Sequence, residues 1–202
     1  MPLTRLFPAL ALVCGLAACA NGQSDLDKPT EPIGDFKLGH AMVVAPNMVM
    51  GPLSREASTE DWIASVDSAL EERFRRQDGD QFYHLGVSVE GYVLAQPGIP
   101  LVLSPKSALI VNVTVWDDAT QAKLNAEPEQ ITALESLSAE TAVGSGLTQS
   151  KQEQMRNLSA NVALQIEKWM RRMQKTEGWF GGPDAGKPVL SDSAPDATAT
   201  AG

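Results

Sequence analysis

Leu109-Ile110-Val111-Asn112-Val113-Thr114-Val115-Trp116 is the stretch on which the reading of the fold turns. Leu109, Val111, Val113 and Val115 lie on one face of a period-two strand, and Asn112, Thr114 and Trp116 on the other. That pattern belongs to a sheet with one face on a core and one towards water. Asp117-Asp118-Ala119-Thr120-Gln121 then reads as a turn, since Asp tolerates turn geometry. Lys123-Leu124 begins a return strand that Pro128 keeps short, so a hairpin is predicted.

Working outward, Tyr83, Leu85, Val87, Val89 and Val93 share one face of a second strand, with His84, Ser88 and Glu90 opposite. Pro97-Gly98-Ile99-Pro100 breaks it, and Ser104-Pro105 ends a short apolar link. A first strand is predicted from Phe36, Leu38, Met42 and Val44, with His40 at an inward position of the same alternation, before an irregular stretch from Pro46 to Pro52. Between these strands, Ser58-Thr59-Glu60-Asp61 has the hydroxyl cap and acidic first turn of a helix start. Trp62, Val66, Ala69, Leu70 and Phe74 follow at helical spacing, with Glu71–Arg75 and Glu72–Arg76 as i,i+4 pairs and Gly79 as a stop. Glu129 to Leu137 fits strand and helix equally, and Gly144-Ser145-Gly146 reads as a flexible loop. Ser150-Lys151-Gln152-Glu153 matches a capping box. Behind it Met155, Leu158, Val162, Ile166, Trp169 and Met173 recur every three or four residues until Gly178, and Lys168, Arg171, Arg172 and Lys175 complement the dipole at the end of this helix. The expectation is an α+β fold: a small antiparallel sheet with two main helices packed on one face, over residues 35–178.

The flanks are of a different kind. Residues 20–34 contain Asn, Gly, Gln, Ser, Asp, Lys and Pro, so 19–34 reads as a flexible tether with a reach of roughly 20 Å. Residues 179–202, rich in Gly, Pro, Ala, Ser, Asp and Thr, read as a disordered tail. At the start, Arg5 precedes a nearly all-apolar run from Leu6 to Ala18, too short to span a bilayer core of roughly 30 Å. Leu16-Ala17-Ala18-Cys19 closes it and resembles the lipobox of bacterial lipoproteins. That resemblance implies a signal peptide over 1–18, removed at Cys19, whose sulfur carries a diacylglyceryl anchor; two or more acyl chains hold a protein firmly where one is marginal. Ala20 in place of Asp leans towards the outer membrane under the sorting rule of well-studied Gram-negative lipoproteins. The chain has two cysteines, Cys14 and Cys19. Cleavage would remove the first and acylation consume the second, leaving no thiol for a disulfide, nucleophile or metal.

Composition narrows the chemistry. A net charge of −9 argues against a nucleic-acid partner, which needs clustered Lys and Arg. Aromatic residues are only 5%, so the core must rest on aliphatic side chains. There is no HExxH, no phosphate-binding Gly-rich loop and no G-x-S-x-G elbow, so no catalytic set and no cofactor site is read. With two histidines in the chain, a zinc site lacks ligands. His40 and His84 could meet an acid such as Asp117, but ordinary strand positions account for both. Asp117-Asp118 could bind a cation or act in acid–base work, but read better as backbone caps in a turn, and Asp78 with Asp80 as a helix-ending loop. Trp116, Trp179 and Phe180 remain as candidate partner contacts, since Trp is enriched at interface hot spots; packing under a neighbouring element is the plainer account.

The layout resembles small envelope lipoproteins of uncharacterised function from alphaproteobacteria. The resemblance rests on the valine-rich strand and Asp/Thr turn of Leu109 to Leu124, and on Gly144-Ser145-Gly146 leading into the helix that holds Trp169. Gln121 stands where such turns usually have Gly. The resemblance implies a non-enzymatic binding or assembly module with an envelope protein partner. Its alternative is an auxiliary lipoprotein of lipid or solute transport, and a hydrolase of envelope polymers lacks residues to carry it.

Overall fold

The computed structural model describes residues 22–96, 107–135 and 150–181. The expected signal peptide, Cys14, Cys19, the 97–106 link and the Gly144–Gly146 loop lie outside these. In chain order the elements are α1 (Gly22–Asp25), β1 (Phe36–Val44), β2 (Val49–Met50), α2 (Thr59–Phe74), β3 (Gln81–Val93), β4 (Ala108–Asp117), β5 (Ala122–Lys123), β6 (Glu129–Leu134) and α3 (Lys151–Glu177). The class is α+β, as expected, and the two long helices cover one face of a six-stranded sheet.

The sheet is mixed. The predicted hairpin logic holds for β3 with β4 and for β4 with β5 and β6, all antiparallel. β1 and β2 instead run parallel to β3 along the same edge. The reason is topological: α2 lies between β1 and β3, and a helical crossover delivers the chain to a parallel neighbour. The segment 129–137, open in sequence, is a strand over Glu129–Leu134.

Two irregularities reset the side-chain alternation. The β1–β3 register shifts between Leu38 and Ala41, and the β3–β4 register shifts between Val89 and Gly91. After the first shift Val43 and Ala45 turn inward, while Met42, Val44 and His40, predicted to be inward, are exposed. After the second, Tyr92 and Leu94 are buried in place of Val93. A bulge adds one residue to one strand and flips the phase of everything beyond it.

The helices start and stop where their caps dictate. The Ser58 hydroxyl accepts from the Asp61 amide at α2. Ser150 and Glu153 form a reciprocal capping box at α3, and Gly178 ends it in the left-handed conformation, φ 69°. Trp62, Val66, Leu70 and Phe74 of α2 join Leu158, Val162, Ile166 and Met170 of α3 over the valine stripes of β3 and β4.

The predicted boundaries move at both ends. Residues 22–34, expected as a tether, are packed: Ile33 is buried, and the Gly22 amide donates to Asn161 Oδ1 at 2.6 Å. Beside the burial of Ile33, the cause is backbone chemistry. A Cβ on Gly22 would lie 2.2 Å from the Ala160 carbonyl oxygen, so only glycine lets the two main chains approach this closely. Arg73, 4% exposed, donates to the Gly22 carbonyl at 2.7 Å, to Asp25 at 3.2 Å and also to Glu167. At the other end the expected tail begins too early. Phe180 is fully buried against Phe36 and Tyr83, its amide donating to Gln174 Oε1 and its carbonyl accepting from the Asp35 amide. Residues 182–202 lie outside the described part.

Candidate partner-binding face

Of the three aromatic residues proposed for partner contact, the structure leaves Trp116 in place and removes Phe180, which the core has consumed. Trp179 is half-buried and packs edge-on to Trp169, with ring centres 5.3 Å apart. Trp116 is 39% exposed on the sheet face that neither long helix of the described residues covers. Lys123 sits over its indole at 5.5 Å, a cation–π contact that orients the ring.

The open face is organised in cross-strand rows. Val44 pairs with Ser88, Ser88 with Asn112, and Asn112 with Gln130. In the next row Met42 pairs with Gly86 and Gly86 with Thr114. Beyond that His84 pairs with Trp116, and Trp116 with Lys123. Met42 (69% exposed) and Val44 (43% exposed) rise on one side, and Trp116 on the other. Between them Gly86, Ser88, Asn112 and Thr114 form the floor of a trough of about 260 Å³. Backbone geometry does not require glycine at 86, for an added Cβ would meet only the Thr114 oxygen, at 3.9 Å. What its missing side chain provides is the depth of the trough. Phe82, 50% exposed, extends the apolar surface beyond His84, with Lys37 over its ring at 5.9 Å.

A histidine cluster closes one end. The first bulge lets the His40 amide donate to His84 Nδ1 at 3.0 Å, and His84 Nε2 lies 2.9 Å from Asp118 Oδ1. Because Nδ1 accepts a backbone N–H, the proton of the neutral ring belongs on Nε2, where it donates to the carboxylate. The two imidazoles stack, 5.3 Å apart and 11° from parallel. Gly39 makes room for the His84 ring, since a Cβ there would lie 2.5 Å from His84 Cε1. The sequence had suggested that the histidines could meet Asp117; the acid that arrives is Asp118. Asp117 instead caps the turn, accepting from the Ala119 amide and the Thr120 hydroxyl. Gln121, where Gly was expected, adopts φ 53° and is held by its own side-chain amide on the Asp118 carbonyl.

With both ring nitrogens engaged, His84 has none open to a hydroxyl nucleophile, and Ser88 stands four residues along the strand, roughly 13 Å away. Among the described residues no group of three His, Cys, Asp or Glu side chains is placed to hold a metal ion. No helix of the described residues is long and apolar enough to cross a membrane.

Sequence alternation alone missed Met42 and Val44 as surface residues. The signal that could have found them was glycine. Gly39 and Gly91 interrupt otherwise continuous strand patterns, and an isolated strand glycine marks a bulge or a close approach.

No family model matches the chain, and no curated protein matches it. Solved structures with a related shape include a Xanthomonas campestris protein of the DUF330 family, at 14% identity and a TM-score of 0.43, covering 75% of this chain and 92% of the other. A minor lipoprotein of Acinetobacter baumannii aligns at 19% identity and a TM-score of 0.35, over 71% of this chain and 96% of its own. A PelC dodecamer of Paraburkholderia phytofirmans aligns at 14% identity and a TM-score of 0.30, over 66% and 92%. Likeness at these scores carries no inference about activity, partners or assembly.

Proposed function

We propose that this chain is a lipid-anchored protein of the bacterial envelope, facing the periplasm, that acts without catalysis as a binding or assembly module for a protein partner. The observation that carries the reading is the sheet face opposite the two long helices, where among the described residues Met42, Val44, Phe82 and Trp116 stand exposed around a floor of small and polar residues. Exposed aromatic and Met side chains beside a recess have the make-up of an interface core. The lipobox-like Leu16-Ala17-Ala18-Cys19 supports the anchor and the compartment. Engagement of both His84 nitrogens supports a structural rather than a proton-transferring role for the one His–carboxylate pair among the described residues. The partner inserts an apolar side chain between Met42 and Trp116 and meets hydroxyl and amide groups below it. Those polar groups suit a protein segment better than an acyl chain, which sets the transport-auxiliary alternative second.

The test is photo-cross-linking in cells from position 88 of the full-length protein, with Gly86→Val as the discriminating change. Valine favours a strand and removes the entropic cost of glycine, so the fold is kept or improved by about 0.5–1 kcal/mol while the trough is filled. A cross-linked envelope protein that disappears with Gly86→Val and with Trp116→Ala is the expected result. An adduct indifferent to both changes rejects this face as the binding site. A Cys19→Ser variant that still fractionates with membranes rejects the anchor.

A further inference from the structure

We propose that the outer side of the helical layer, with residues 22–33 laid over it, is the membrane-apposed surface of the protein, and that the cleft between Lys28, Arg76 and Lys168 seats phospholipid headgroup phosphates. This rests on acylation of Cys19. Three peptide steps separate Cys19 from Gly22, and a chain spans at most about 3.6 Å per step, so Gly22 lies within about 11 Å of the anchored residue. Gly22 is fixed, not tethered: its amide is bound to Asn161 and its carbonyl to Arg73. Successive α3 residues turn by about 100°, which puts Ala160, Leu164, Glu167 and Arg171 on the flank opposite the Val162–Ile166–Trp169 core stripe. The N-terminal segment packs there. Ala160 touches Gly22, and Arg171 donates to the Glu31 and Pro32 carbonyls. The anchor therefore keeps this flank within reach of the bilayer surface, and the charges of the flank decide whether it lies against it.

The chemistry of the flank fits that placement. A cleft of about 450 Å³ opens between residues 25–31, the end of α2 and the middle of α3. Cationic side chains outnumber carboxylates in its lining by five to three, in a chain whose net charge is −9. Arg73 and Arg171 are committed to Glu167 and to backbone carbonyls. Lys168 extends into solvent at the cleft, Lys28 is exposed there while paired with Asp25 at 2.6 Å, and Arg76 flanks them, donating to the Lys28 carbonyl. A phosphate monoanion is the group that exposed cations lining one cleft take from an anionic bilayer surface, where attraction acts within about one Debye length, roughly 8–10 Å. The trough on the sheet then points away from the membrane, towards the periplasm.

The experiment uses the acylated protein purified from membranes and reconstituted into vesicles of phosphatidylethanolamine and phosphatidylglycerol, with a quencher on a fraction of the headgroups. Fluorophores are placed singly at Asp27→Cys and Ser88→Cys. Quenching of the first and not the second is expected. Loss of most of that quenching in Arg76→Glu/Lys168→Glu, with the protein still vesicle-bound through its acyl chains, assigns the cleft. Equal quenching at both positions, or quenching indifferent to charge reversal, overturns the proposal while leaving the anchor intact. Intact mass without acyl chains on Cys19 overturns the anchor and the orientation together.

Discussion

Substituting Gly22 with alanine tests whether the N-terminal segment is part of the fold. The added methyl would lie 2.2 Å from the oxygen and 2.3 Å from the carbon of the Ala160 carbonyl, inside a 27-residue helix that cannot yield locally. The segment must lift instead. Lifting breaks the 2.6 Å bond from the Gly22 amide to Asn161 and the 2.7 Å bond from Arg73 to the Gly22 carbonyl. Both side chains left behind are buried, Asn161 at 6% exposure and Arg73 at 4%. An unsatisfied buried polar group costs about 1–3 kcal/mol, so two cost about 2–6 kcal/mol. Arg73 retains Glu167, Asn161 retains its bond to the Leu134 carbonyl, and water enters as the segment leaves, which favours the lower part of that range, about 2–4 kcal/mol. For a domain of this size a loss of 1 kcal/mol lowers Tm by roughly 2–4 °C, so the change should be on the order of 5–15 °C. Thermal and urea unfolding of the Cys19→Ser form, with and without Gly22→Ala, measure it. Amide hydrogen exchange should show protection vanishing at Gly22 while β3 and β4 stay protected. A Tm within a degree or two of the parent, with the Gly22 amide still protected, would refute the close approach and with it the short leash on which membrane orientation depends.

Three further predictions address other parts of the molecule. Phe180→Ala empties a fully buried aromatic site against Phe36 and Tyr83 and should cost about 3–5 kcal/mol in urea unfolding, whereas a residue of a disordered tail would cost nothing measurable. Gly39→Ala should displace the His84 ring and break its solvent-exposed bond from the His40 amide, at about 0.5–1.5 kcal/mol; unchanged imidazole resonances of His84 would contradict the contact. The hydrogen bond from Lys28, and less strongly that from Arg73, holds the Asp25 carboxyl below its ordinary value against the opposing effect of burial. A carboxylate depressed in the folded state contributes stability that is complete above its unfolded pKa, about 3.9, and lost as pH falls through the lower folded value. Tm should thus fall more steeply with acid below about pH 4 in the parent than in Asp25→Asn; parallel pH profiles would remove Asp25 from the network.

How much of this was legible in the sequence depended on where the ordering forces are written. The helix from Lys151 was readable because its cap, stripe and stop are local: Ser150 and Glu153 bond each other, and Gly178 takes a left-handed conformation that most L-residues disfavour. The β3–β4 pair was readable for the same reason, valines alternating within each strand. What escaped is nonlocal. Residues 22–34 look like a linker because they carry little to bury, yet they are ordered by main-chain bonds to side chains some 50 and 140 positions away, Arg73 and Asn161. Phe180 was assigned to the tail because its flanks are small and polar; its partners, Phe36 and the Asp35 amide, come from the opposite end of the chain. Parallel pairing of β1 with β3 had a legible cue in the intervening helix, which the hairpin pattern downstream outweighed.

The candidate site was half legible, and the half that was missed explains the one that was found. Trp116 stood out because it opposes the valines of its own strand. Met42 and Val44 read as core because a bulge at Gly39–His40 reverses their phase after Leu38. The same bulge aims the His40 amide at His84 and leaves Met42 facing the trough across Gly86. One extra residue in an edge strand therefore accounts for the exposed wall, for the imidazole tautomer and for the stacked pair of rings. Without the bulge, unbroken alternation through Gly39 and His40 would carry Met42 and Val44 to the core side and rotate Val43 outward. The core would then hold two larger side chains in place of Val43 and Ala45, an overpacking that costs about 1–3 kcal/mol or more. The fold is thus more comfortable with the bulge than without it, and the exposed apolar wall follows from a packing requirement on the opposite face. A partner that uses this wall reads a surface that the core has already fixed.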